Sequence, residues 1–179
     1  MKPSRIFWLP LMAGLWTAPA LADWTEIHMH QVGPDGVGAE MGMVEAVDSW
    51  FTSLATLVFD ISGLAPGQYK VWLHDVPDCA AAEFDGLVLA GYAAGPVYDR
   101  DDGHGGSVRG HLGDLEVTSE GEVTRTISVR PPKVVDGVDK VTVTEMRGRA
   151  LIIHRAASGP DTRVACGVIR LAEEEPARE

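Results

Sequence analysis

The sequence predicts an all-β domain, an antiparallel sandwich or barrel of about eight short strands. Two observations carry this expectation. Runs rich in β-branched and aromatic residues recur between Gly/Pro loops, and no segment sustains a helical period. The 179 residues are 45% hydrophobic, with 20 Gly and 11 Pro, a composition that suits one folded domain and excludes a disordered chain.

Residues 1–22 stand apart from the rest. Lys2 and Arg5 precede an apolar run through Phe7, Trp8, Leu9, Leu11, Met12 and Leu15, and the segment leaves through Ala20-Leu21-Ala22. That is the pattern of a cleaved secretory signal peptide, so the mature chain is expected to be exported. Removing it takes away two cations and no acid, so the formal charge moves from −11 to −13. A chain so acidic repels nucleic acid. No later apolar run reaches the ~20 residues of a membrane-spanning helix, so the mature chain is expected to have no membrane span. The domain is expected over residues 23–172, followed by a charged tail, 173–179.

Thr25 to Val32 and Met41 to Val47 read as strands flanking the loop Gly33-Pro34-Asp35-Gly36-Val37-Gly38. Leu54 to Ile61 reads as a third, ended by Ser62-Gly63-Leu64-Ala65-Pro66-Gly67. In Tyr69 to His74, alternation sends Val71 and Leu73 to one face and Lys70, Trp72 and His74 to the other. Asp75 to Gly113, rich in Ala, Gly, Asp and His, reads as an extended loop with one brief apolar run, Leu87 to Ala90. Strand character returns at Leu115 to Thr118, Glu122 to Val129, Val141 to Thr144, Ala150 to His154 and Val164 to Leu171.

Chemistry is concentrated in six histidines and two cysteines. In an oxidising compartment Cys79 and Cys166 most simply form one structural disulfide. Closing a loop of that length restricts the unfolded chain by about 4–5 kcal/mol in the chain-entropy model. His104, His111 and Asp114 fall within a Gly-rich stretch able to bring three zinc-type donors together; a polar surface loop is the other reading. His28 and His30 share one face of the first strand, where they form either a metal-binding pair or a solvated surface.

Three blocks, Gly110-His111-Leu112-Gly113-Asp114-Leu115, Gly148-Arg149-Ala150-Leu151-Ile152-Ile153-His154 and Arg163-Val164-Ala165-Cys166-Gly167-Val168-Ile169, resemble the signatures of copper/zinc superoxide dismutases, in the family's order. Gly36-Val37-Gly38 with Gly42, and Leu64-Ala65-Pro66-Gly67 leading to His74 and Cys79, are similar to its bacterial periplasmic branch. The resemblance implies an eight-stranded antiparallel Greek-key barrel carrying metals on its outer face. It implies copper at His74 and His154, zinc at His104, His111 and Asp114, an anion-guiding Arg163, and the Cys79–Cys166 bond.

Two positions depart from the family's pattern. Trp72 stands where a copper histidine is expected, and Val97 matches the histidine that bridges copper and zinc. An indole offers an N–H donor and no lone pair for a metal. Only eight residues separate His154 from Arg163, shorter than the family's channel loop, and Asp161 is the one carboxylate there to replace its link between the metal sites. Steering of an anion would then fall to Arg155 and Arg163.

The expected protein is therefore a periplasmic, metal-binding relative of these enzymes with little or no dismutase activity, holding zinc rather than copper, and acting through metal ions or through a protein partner or dimer. The alternatives are an active dismutase of superoxide with an atypical shell, completed by Asp75 or a methionine, and a Cu(I) carrier using His74 and His154.

Overall fold

The computed structural model describes residues 23–48, 55–99, 110–118, 122–128, 141–156 and 163–171. The leader, the tail, His104 and Asp161 lie outside them. The strands are β1 (Trp24–Gly33), β2 (Gly36–Asp48), β3 (Ala55–Ser62), β4 (Gly67–His74), β5 (Ala82–Phe84), β6 (Leu87–Leu89), β7 (His111–Val117), β8 (Glu122–Ser128), β9 (Arg149–Arg155) and β10 (Arg163–Ile169). Eight of them form one antiparallel sheet in the order β7-β4-β9-β10-β1-β2-β3-β8. Its two outermost strands, β7 and β8, follow each other in the chain and lie in contact, so the sheet curls into a Greek-key barrel.

Alternation builds the interior. Ile27 and Met29 of β1, Leu57 and Phe59 of β3, Val71 and Leu73 of β4, and Leu151 and Ile153 of β9 are fully buried in one core. A second, smaller core lies outside the barrel. Cys79, Ala90 and Ala94 from the segment after β4 pack on Ala150 and Ile152 of β9, Cys166 of β10 and Val32 of β1. The disulfide between Cys79 and Cys166, with Cα atoms 5.7 Å apart, ties this cover to the barrel.

Four sequence expectations are corrected here. Val141 to Thr144 is not a strand: Val143–Met146 forms a helical turn, α1. The Thr142 hydroxyl accepts from the Glu145 amide while the Glu145 side chain accepts from the Thr142 amide, a reciprocal cap that outweighs β-branched propensity. The segment from Asp75 to Gly113 is not plain loop; it contains the β5–β6 hairpin, a 3₁₀ turn at Tyr92–Ala94, and the first residues of β7. β7 begins at His111 rather than Leu115 because an irregularity opposite Val71 and Trp72 interrupts its alternation. Likewise β2 begins at Gly36, inside what reads as a loop.

Candidate metal centre

His74 ends β4 on the outward side of the barrel wall, yet it is fully buried, because the segment after β4 folds back over it. Tyr98 donates its amide to the Leu73 carbonyl, Asp75 donates to the Pro96 carbonyl, and Val97 bridges to His74. The His74 ring stacks on His154 of β9, with centroids 5.4 Å apart and planes 9° from parallel.

The hydrogen bonds fix both tautomers. His74 Nδ1 lies 2.9 Å from the Gly95 carbonyl oxygen, which can only accept, so Nδ1 carries the proton. His74 Nε2 is then a bare acceptor, and His154 Nε2, 3.2 Å away, donates to it. Burial is the main cause that holds the His74 imidazole down to about 4; Arg163 adds to it and the Gly95 hydrogen bond opposes it. Burial, then His74, then Arg163 push His154 down to about 3. Both rings are neutral at physiological pH.

Arg163 starts β10 beside this pair. Its guanidinium donates to the Gly91 carbonyl at 2.7 Å and to the Gly95 carbonyl at 3.2 Å, and lies over the Tyr92 ring, 4.7 Å from its centroid. Gly95 thus accepts from both Arg163 and His74. Its φ of 73° with ψ of −158° belongs to glycine alone, and a Cβ there would press on Val76. The roles of the Gly95 carbonyl and of Tyr92 were not legible from the sequence, since neither belongs to a motif.

Trp72 faces outward from β4, as alternation predicts. Its indole packs at 4.7 Å on the His111 ring and presents edge-on to His154 at 6.5 Å, so it stands between the two imidazoles. Val97 covers Gly110, where a Cβ would collide with Val97 Cγ1 and with the Leu73 and Tyr98 carbonyls.

On β7, Lys70 faces Asp114, Val71 faces Gly113 and Trp72 faces His111, which leaves Leu112 as an extra residue turned into the core. The resulting bulge puts His111 and Asp114, otherwise on opposite faces, on the same one. His111 Nε2 lies 3.2 Å from Asp114 Oδ1.

Among the described residues, no group of three or more His, Cys, Asp or Glu side chains gathers around one point. Two imidazole nitrogens at His74 and His154 are fewer than the four-donor shell that Cu(II) favours, so this donor set does not fit it. Asp75 lies 3.8 Å from Arg149 Nε. His111 and Asp114 suit zinc in kind, and as a pair they supply two of four ligands.

The model of the family described as copper/zinc superoxide dismutase matches residues 41–169. The superoxide dismutase [Cu-Zn] of Brucella abortus is 30% identical over 167 residues, covering 84% of this chain and 91% of that protein. The solved Cu/Zn superoxide dismutase from Brucella abortus covers 83% of this chain and all of its own, at 26% identity and a TM-score of 0.67. The monomeric copper, zinc superoxide dismutase from Salmonella enterica superposes with a TM-score of 0.59 at 26% identity, over 83% of this chain and all of its own. The matched barrel, the disulfide and the family model together make this chain a member of the copper/zinc superoxide dismutase family.

Proposed function

We propose that this protein is an exported, periplasmic member of the family with an incomplete copper centre, so that it binds metal but dismutes superoxide slowly or not at all. The observation that carries the reading is Trp72. Its indole occupies the space between His111 and His154, where the family resemblance calls for imidazole donors. The closed His154-to-His74 hydrogen bond supports the same reading, because the two nitrogens satisfy each other. Copper cycling between two oxidation states needs a shell that accommodates both, and two imidazoles do not supply it. We assign the zinc site to His111 and Asp114 with His104, and the anion-guiding role to Arg163, whose guanidinium is held beside the pair.

The experiment is elemental analysis of protein expressed in metal-replete medium, beside a dismutase assay on the same sample. The expected result is bound zinc, little copper, and a rate near background. Trp72→His with Val97→His is expected to raise both copper retention and activity. Stoichiometric copper with full activity in the unmodified protein would overturn the proposal.

One observation favours a second reading as a Cu(I) carrier: His74 and His154 direct their Nε2 atoms at one another across 3.2 Å. A small opening of this gap gives a near-linear two-nitrogen site, the geometry that Cu(I) accepts and Cu(II) does not. Cu(I) competition against a chromogenic chelator separates the two readings.

A further inference from the structure

Elsewhere on the outer face of the barrel wall lies a second pair of histidines. His28 and His30 alternate outward from β1, while Ile27 and Met29 are fully buried. With Glu26, Asp78 and Arg170 they line a cleft of about 300 Å³ beside the disulfide. One cation among these side chains faces two carboxylates.

β2 contributes a third carboxylate through a bulge. Met29 pairs with Gly42 and His30 with Glu40, so Met41 is an extra residue and turns into the core, 8% exposed. Without that insertion Met41 would oppose His30 and Glu40 would face inward. With it, the Glu40 carboxylate reaches His28, and Oε1 lies 3.0 Å from His28 Nδ1. Interaction with His28 holds the Glu40 carboxyl below its ordinary range. Gly42 makes the bulge possible: its φ is +117°, and a Cβ there would run into the Asp60 carbonyl oxygen.

We propose that His28 and His30 form a binding site for a divalent transition-metal cation, with Glu40 as the positioning residue. A carboxylate on Nδ1 fixes the tautomer that leaves Nε2 as a bare donor, the arrangement usual behind metal-bound histidines. Same-face neighbours on a strand stand about 7 Å apart. Two imidazoles close that span onto one ion at about 2.0–2.1 Å from each nitrogen. Glu26 and Asp78 line the same cleft and add negative charge around it, and its open side leaves the remaining positions to water. Imidazole with carboxylate selects zinc or copper over magnesium or calcium. The site is separate from the one built on His74 and His154, and it does not depend on whether that site holds copper.

The test is a calorimetric zinc titration of the whole protein, of the His28→Ala/His30→Ala double variant and of Glu40→Gln. The unmodified protein is expected to bind one zinc more than the double variant. Glu40→Gln is expected to keep the number of sites and weaken this one by about 10–100-fold. Equal stoichiometry and affinity in the protein and the double variant would overturn the proposal. Circular dichroism melting checks that the variants fold. If the alanine variant does not, His28→Asn/His30→Asn answers the same question, and loss of one zinc site is again required. An unchanged affinity in Glu40→Gln would remove Glu40 from the arrangement.

Discussion

The barrel carries two outward-facing histidine pairs, and they live under opposite conditions. His74 and His154 lie beneath the segment fastened by Cys79–Cys166; dry and neutral, they hydrogen-bond to each other. His28 and His30 lie in an open cleft on β1, with His28 turned to a carboxylate. Strand alternation brings both pairs to the outside of the wall by the same rule. What separates them is cover: a lid of small residues on Ala150 and Ile152 converts one outward face into an interior.

Removing the fastening should break this contrast most strongly. Cys79→Ser with Cys166→Ser is expected to lower stability by about 4 kcal/mol in urea denaturation. It should also bring the His74 and His154 imidazoles back toward ordinary acidity, read by NMR titration. An unchanged midpoint would mean that the small outer core holds the cover without the bond.

Acidification of the metal-free protein should come next. Both buried imidazoles bind fewer protons folded than unfolded, so their contribution is complete above about pH 6.5 and is lost as the pH falls toward about 4 for His74 and about 3 for His154. A loss on the order of 3 kcal/mol per ring is expected over that window, with Arg163 as the neighbouring charge that opposes protonation of either ring. A His74→Phe variant should lose much of this dependence. A flat stability profile across that window would show that the rings are wetter than their burial implies.

Gly95→Ala should cost about 2 kcal/mol and displace the carbonyl that orients His74, visible as a changed His74 Nδ1 signal. The smallest effect is expected on the open side. Glu40→Gln should leave the melting midpoint in place in metal-free buffer, because an exposed ion pair contributes little to stability. A large shift there would mean that the β1–β2 bulge depends on the ion pair, rather than on Gly42.

The regular parts of this wall were legible because a period of two writes itself into β1, β3 and β4, while β9 reads as a short continuous apolar run. Trp72 could be assigned to the outer face on alternation alone, and the structure places it there. Irregularity hid the rest. Inserted Leu112 and Met41 interrupt the period, so β7 read too short and Glu40 fell outside the strand read from Met41. Val143-Thr144 has the composition of a strand, and its reciprocal cap with Thr142 and Glu145 was not read from the sequence. The cover over His74 is held by alanines, backbone carbonyls and a disulfide; of these, only the cysteines announce themselves in a sequence.

One oxygen joins the imidazole of His74 to the guanidinium of Arg163, and it belongs to the backbone of Gly95. Every amino acid carries that oxygen, so no codon change at this position can delete it. Only a change in the path of the chain can move it, and such a change displaces both groups together. The junction is therefore indifferent to side-chain chemistry and sensitive to local chain direction, and selection would act on it through the glycine's torsions.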